Sequence, residues 1–211
     1  MLRSKNEKTR VKQVNWRAVF AESGFIGLSI ILAFALQDWD EESDIEERMM
    51  IALCNVKSEL EFNRVLLDAD YIPRQSGLLS VVNGAIKTLE SDPQSSVSAS
   101  ALKDMHLQKS LRYSAWTLAG ESGYLLHANF ELATEIGALF HYQQDSYQPV
   151  VARLNDKLFN SLPEYSDNAI EHYASLRDLI HEWTAQSMYL RGSYESLFER
   201  EDFQKLPCTG W

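Results

Sequence analysis

Glycine and proline are scarce in this chain, nine and five in 211 residues, which leaves little material for the tight turns of an all-β fold. No run of alternating apolar and polar residues is long enough for a strand, and no segment repeats. There is no CxxC pair, which argues against a redox or zinc motif. There is no phosphate-cradling glycine loop and no Gly-x-Ser-x-Gly elbow; Gly120-Glu121-Ser122-Gly123 comes nearest, but no strand precedes it, and it reads as a turn. Only two cysteines occur, Cys54 and Cys208. In an oxidising compartment they could bridge and tie the C-terminus to the first long helix. Two separate thiols are the better-favoured reading.

Positive charge is missing from most of the chain. The net charge is -10, yet residues 1–17 hold six basic residues (Arg3, Lys5, Lys8, Arg10, Lys12, Arg17) against Glu7 alone. Residues 38–211 hold 14 basic against 28 acidic residues. An acidic body is a poor polyanion binder, so nucleic acid is not expected as a partner. The basic tail suits a membrane flank better.

What the chain does have is one long apolar run. Ala18 to Leu36 is 19 residues with the single charge Glu22, and as a helix it covers roughly 28 Å, close to the hydrocarbon thickness of a bilayer. Basic residues before it and acidic residues after it place the N-terminus in the cytoplasm and the body outside, in the periplasm of a Gram-negative host. A cleavable signal peptide competes, because Ala33-Phe34-Ala35 fits a small-x-small cleavage site. The run is long for such a segment, no helix breaker precedes the site, and helical periodicity continues past Leu36. An uncleaved anchor is the better reading. Glu22 falls in the first turn, near the headgroups and Arg17 or Lys12, unless it faces a partner. Ser23 with Gly27, and Ser29 with Ala33, are small-xxx-small pairs that would let two spans approach. Trp39 sits at the depth of an interfacial aromatic belt.

Beyond the run the pattern is helical throughout. Ile45, Met49, Leu53, Val56, Leu60 and Leu67 form one apolar face, carrying the first helix to about Asp70, where Tyr71-Ile72-Pro73 should stop it. A second helix fits about Gln75 to Glu90, followed by a loop over Ser91 to Ser96. Ser98 or Ser100 can cap a short helix through Leu102, Met105 and Leu107. Another short element begins near Ser114. A long helix is expected from Tyr124 to about Tyr147, and another from Val150 to Leu162. The last, capped by Ser166 or Asp167, runs past Ile170, Tyr173, Leu176, Ile180, Trp183, Ser187, Leu190, Tyr194 and Leu197. The expected class is all-α, with one N-terminal transmembrane helix continuing into an extracytoplasmic helical bundle. Its parts are a basic tail (1–17), a span (18–37), a juxtamembrane amphipathic helix (38–72) and a helical domain (73–211).

Candidate chemistry is thin. His127, Glu131 and Glu135 would share one face of a continuous helix, a possible ligand set, but the repeated Glu-x-x-His of bundle di-metal sites is absent. His172 and His181 fall on opposite sides of one helix. Tyr173, Trp183, Tyr189, Tyr194 and Phe198 read as a core stripe rather than a groove. Leu206-Pro207-Cys208-Thr209-Gly210 spells a sortase-type pentapeptide, but no hydrophobic stretch follows it. No catalytic, cofactor or metal residues are assigned, and an enzyme is not expected.

The order Glu22, Gly27, Leu28, Leu32, Ala35-Leu36 and Trp39 resembles a family of bacterial single-pass membrane proteins, a class of domains of unknown function. Its members carry a Glu, an apolar span, a Gly-x-x-x-Ala-Leu-like segment and Asn/Asp-Trp-x-Glu. A second block resembles it as well: Trp116-x-Leu118, then Ser122-Gly123-Tyr124-Leu125-Leu126 and a helix ending Phe140-His141-Tyr142. The resemblance implies an uncleaved anchor and a helical extracytoplasmic body, and no activity. This chain departs from that pattern after Trp39, where members turn basic and it stays acidic through Glu47. The function expected is a membrane-anchored module for protein–protein interaction or scaffolding. Signalling through span association, and a secreted domain released by cleavage, are the alternatives. The bilayer and a protein partner or second copy are the expected partners.

Overall fold

A computed structural model describes residues 16–95, 97, 102, 107–160 and 168–208, with the side chains of 16–19, 21, 22 and 160 outside the described set. Every described element is helical, in keeping with the all-α expectation. The chain forms two compact units, Met1–Ile45 and Glu46–Trp211.

The first unit contributes the beginning of helix α1 (Trp16–Leu66). The large apolar side chains from Phe25 to Leu36 are all exposed: Phe25 at 74%, Ile30 at 50%, and Ile26, Leu28, Ile31, Leu32, Phe34 and Leu36 between them. Trp39 is exposed too. The Ser29 hydroxyl donates back to the Phe25 carbonyl at 2.8 Å, so this polar group is satisfied inside its own helix. Among the described residues no helix is long and apolar enough to cross a membrane. The fully described part of the apolar run, Ser23–Leu36, is 14 residues, or about 21 Å at helical rise. The side chain of Glu22 and most of those in the first turn of the expected span lie outside the described residues.

In the second unit α1 buries Met49, Leu53, Val56, Leu60 and Leu67, the stripe the periodicity predicts. The expected stop at Tyr71-Ile72-Pro73 is a joint instead. A π-helical turn (Leu67–Tyr71) leads directly into α2 (Ile72–Ser91). Proline lacks an N–H and its ring crowds the carbonyl four residues back, so the preceding turn widens to a five-residue repeat. The Ile72 N–H accordingly donates to the Leu67 carbonyl. A second joint is built the same way: α4 (Phe130–Tyr142) passes through a π turn (Gln143–Tyr147) into α5 (Gln148–Asn160), with Pro149 in its first turn. The two joints share Tyr-x-Pro, and their tyrosines stack with centroids 6.3 Å apart. No repeat is visible in the sequence because the likeness is confined to these few residues.

Trp183 of α6 (Ala169–Glu199) locks the joints together. Its ring meets Tyr71 edge-on at 5.9 Å, and its indole N–H donates to the Tyr147 hydroxyl at 2.9 Å. Gln75 donates to the Ser187 hydroxyl, which also pairs with Tyr147, closing a network within the aromatic core.

Three expectations need correction. The long helix from Tyr124 does not form; a 3-10 turn (Tyr124–His127) is followed by Asn129, whose side chain accepts from the Leu132 N–H and starts α4. Asparagine competes for local backbone donors and so sets a boundary that apolar spacing alone conceals. Leu107 lies in an irregular segment rather than a helix, while Met105 and the Ser98 and Ser100 caps lie outside the described residues. Tyr189 is 62% exposed and rests on Tyr142 instead of joining the core. The caps expected at Ser166 and Asp167 also lie outside the described residues; α6 begins after Asn168.

The C-terminus folds back onto α1. Cys208 is bonded to Cys54 across 154 residues of sequence. Phe203 of the short helix α7 (Glu201–Gln204) is buried, and Lys57 both donates to its carbonyl at 3.1 Å and lies over its ring. Arg64 lies over Phe198 at 4.4 Å. A crosslink closing a loop this long removes about 5 kcal/mol of unfolded-chain entropy in the chain-entropy model, an upper figure since loss of native bridges commonly costs 2–5 kcal/mol. Reduction, or Cys54→Ser with Cys208→Ser, should therefore lower the stability of the second unit by about 2–5 kcal/mol in denaturant titrations followed by circular dichroism. An unchanged midpoint would show that the bridge does not form.

Candidate functional site

The most constrained backbone in the molecule has no regular structure. Residues 107–113 form no helix or strand, so their N–H and C=O groups must find partners outside any ladder or helix. Side-chain amides supply them. Asn155 accepts from the Leu107 N–H and donates to the Leu107 carbonyl, at 3.0 and 3.1 Å. The Tyr71 hydroxyl donates to the Lys109 carbonyl, and Gln148 to that of Leu111. Asn63 does for Arg112 what Asn155 does for Leu107, with both bonds at 2.7 Å, and Gln143 adds a further donor to the Arg112 carbonyl at 2.8 Å. Gln143 in turn accepts from Tyr194 at 2.7 Å. Leu107 and Leu111 are buried along this strap.

The strap delivers the chain to helix α3 (Ser114–Glu121), whose N-terminus is capped from a distance. Buried Glu59 of α1 accepts from the Ser114 hydroxyl and the Ala115 N–H at 3.0 Å, with the Trp116 N–H at 3.5 Å from its other oxygen. A carboxylate here answers both the unpaired N–H groups and the positive end of the helix dipole. Glu59 is thus fully engaged as a cap, a poor arrangement for a general base.

Between α1 and α3 lies a groove of about 850 Å³. Ile51, Ala52, Phe62, Ala115, Leu118 and Ala119 give its apolar lining, and Arg48 and Arg112 its positive charge. The Arg112 guanidinium lies 3.6 Å over the Phe62 ring. Arg48 donates to the Tyr124 hydroxyl at 3.5 Å. Leu118 is exposed at the groove, and Leu126 and Phe130, a few residues further along the chain, are exposed at 88% and 81%.

The ligand set weighed from sequence does not assemble. His127 sits in the 3-10 turn ahead of Asn129, so it shares no helix with Glu131, and Glu135 is paired with Arg200. Arg200 also holds Asp202 in a two-pronged bond at 3.0 and 2.7 Å, which keeps the Asp202 carboxyl below its usual range. Among the described residues no group of three metal-binding side chains occurs. Ser23, Ser29 and Ala33 are exposed and Gly27 half-buried; a Cβ at Gly27 would meet nothing within 4 Å. Packing within this chain does not demand the glycine.

Sequence reasoning missed Glu59, Asn63, Gln75 and Gln143, all buried, and gave Ser187 a place on the last helix's stripe without a role. A signal was present: Asn63 falls between Leu60 and Leu67 on the apolar stripe, three and four residues from each. Ser187 occupies the same kind of place between Trp183 and Leu190.

No family model matches this chain, and neither does any curated protein or solved structure.

Two predictions follow from the buried polar groups. Asn63→Ala strands the Arg112 N–H and leaves its carbonyl to Gln143 alone, and should cost about 1–3 kcal/mol against about zero for the exposed Asn55→Ala, read from denaturant midpoints. Burial, then the nearby Asp70, pushes the Tyr71 hydroxyl up from 10.0 to about 12, and burial raises Tyr147 and Tyr194 as well. Raised folded-state values mean that stability is intact below pH ~10 and falls as the pH climbs toward and past 12. Tyrosinate absorbance of these residues should then appear only together with loss of helix. Ionisation of all tyrosines near pH 10 in a folded chain would contradict the burial.

Proposed function

We propose that this chain is a single-pass membrane protein whose helical body lies outside the cytoplasm and binds another protein. The observation that carries the reading is the run of large apolar side chains, Phe25 to Leu36, exposed along α1. A helix that is apolar all round and packs on nothing needs a non-aqueous surrounding. The described run is short of a bilayer by itself, but Ala18, Val19, Phe20 and Ala21 extend it to about 28 Å. The self-satisfied Ser29 hydroxyl suits that medium.

The disulfide supports the compartment. Structural bridges persist in the periplasm or outside the cell and are rare in the cytosol, the side that the basic residues 1–17 favour for the N-terminus. Trp39 then serves as the interfacial anchor, and Glu22 sits near the cytoplasmic headgroups. The resemblance of the region around the span to single-pass proteins of unknown function points the same way.

Partner binding rests on the surface around α3. Leu118, Leu126 and Phe130 are large, apolar and exposed, and all three fall within thirteen residues of chain. Clusters of this kind mark interaction sites more often than bare surface. The span itself offers Ser23, Gly27, Ser29 and Ala33 for association with a second copy, which would make the protein a signalling device rather than a scaffold.

Reporter fusions at Asp70 and at the C-terminus, with the apparent mass of the mature chain, test the topology. A full-length, membrane-bound chain with both reporters outside is expected. A soluble chain shortened near Ala35 would make this a secreted domain. A photo-crosslinker at Leu126 should capture one discrete partner in membranes, with Phe130→Asp lowering the yield at least about fivefold; a strictly monomeric pattern would sink the interaction reading.

A further inference from the structure

The groove between α1 and α3 has features that partner docking does not need. Three alanines, Ala52, Ala115 and Ala119, hold open a space that larger side chains would fill, and at about 850 Å³ it is the size of a small-molecule site. Arg48 and Phe62 both line it and stand fourteen residues apart on α1, so the hollow follows the helix for roughly 21 Å. Its shape is long and its lining apolar.

Its lining holds two cations, Arg48 and Arg112, against the single carboxylate Glu59. Glu59 is the one carboxylate in the lining, and its oxygens are taken by the Ser114 hydroxyl and the Ala115 and Trp116 N–H groups. Arg112 instead lies over Phe62, its Cζ 3.6 Å from the ring centroid, and among the described residues no carboxylate is within ion-pair distance of it. Stacking uses the face of the guanidinium and leaves its in-plane N–H edge for a carboxylate, which it binds in two-pronged fashion. The placement is rigid as well: the Arg112 backbone is held by two bonds from Asn63 and a third from Gln143. A cation fixed in this way at an apolar hollow is preorganised for an anion with a hydrophobic tail.

We propose that the groove binds one carboxylate-terminated acyl chain, with the tail along Ile51, Ala52, Phe62 and Ala115 and the carboxylate on Arg112. This goes beyond the anchor and partner reading and does not depend on it.

The test uses the full chain in phosphatidylcholine nanodiscs, with empty nanodiscs subtracted, and titrates decanoate, decanol and decyltrimethylammonium by calorimetry. Decanoate should bind with a stoichiometry of one, more tightly than decanol, and the cationic amphipath should not bind. Arg112→Gln should weaken decanoate by about tenfold and leave decanol within about twofold, because only the charged contact is removed. Ala52→Leu fills the hollow and should weaken both. Circular dichroism confirms that each variant keeps its helices, which is expected since the Arg112 side chain is exposed and its backbone bonds are untouched. Equal uptake by loaded and empty nanodiscs would overturn the proposal, as would equal decanoate affinity in the native chain and Arg112→Gln.

Discussion

Seven residues of irregular backbone set the terms for the rest of this molecule. An irregular segment that presents Leu107 and Leu111 to a helical core carries N–H and C=O groups outside any helical ladder. Leaving such a group unpaired costs about 1–3 kcal/mol, and several would exceed the margin of a small domain. The helices answer by placing amides where their apolar stripes would otherwise have leucine. Asn63 and Gln143, both buried, are well worse than an apolar residue in isolation, and Gln148 and Asn155 add their bonds from half-buried positions. They become favourable only once the strap is in place, so strap and helices must form together. This mutual requirement gives the fold a single way to close, since a shifted helix would bury an amide with nothing to bond.

The same logic extends to the joints. A π turn before proline leaves its helix with fewer regular bonds, and a joint held only by backbone would flex. Here each joint carries a buried tyrosine, the two rings stack on each other, and Trp183 touches both. Tyr71 does double duty, since its hydroxyl also holds the strap at Lys109. The second unit is therefore braced through a small number of polar–aromatic contacts near its centre. At one side the bridge to Cys208 and the rings of Phe198 and Phe203, under Arg64 and Lys57, fasten the C-terminus to the face of α1 opposite the strap's amides.

Periodicity made the helical class and most of the core readable. Met49 through Leu67, Leu78 through Leu89 and Tyr173 through Leu197 are buried in the phase that their spacing dictates. What spacing could not give is any event that depends on one side chain bonding one backbone group. Asn129 breaks the helix expected from Tyr124 by capping a new one, and that decision removes the shared face of His127, Glu131 and Glu135. The bridge could be posed as a possibility from two cysteines but not decided, because 154 residues of separation say nothing about distance in space. The groove was illegible for a related reason. Its hollow is made by alanines, and alanine in a helix looks the same in sequence whether it faces solvent, core or cavity.

The two units ask opposite things of water. In the second, large side chains such as Trp183, Tyr147 and Phe140 are withdrawn from solvent completely, and the Trp183 N–H and the Tyr147 hydroxyl among them are paired. In the first, eight large apolar residues between Phe25 and Leu36 stay uncovered. At about 25 cal/mol per Å² of apolar surface, each such side chain would gain roughly 1.5–3 kcal/mol by leaving water, so the stretch as a whole stands to gain on the order of 10–20 kcal/mol. No refolding of a lone α1 can recover this, because a single helix has no inside. A bilayer or another protein would recover it, as the function proposed above requires. On that proposal the acidic run from Asp38 to Glu47 sets where such cover ends, since charges at this density cannot follow the apolar face into hydrocarbon. The change from apolar to acidic between Leu36 and Asp38 is thus the sharpest physical boundary in the chain, and it falls inside a single unbroken helix.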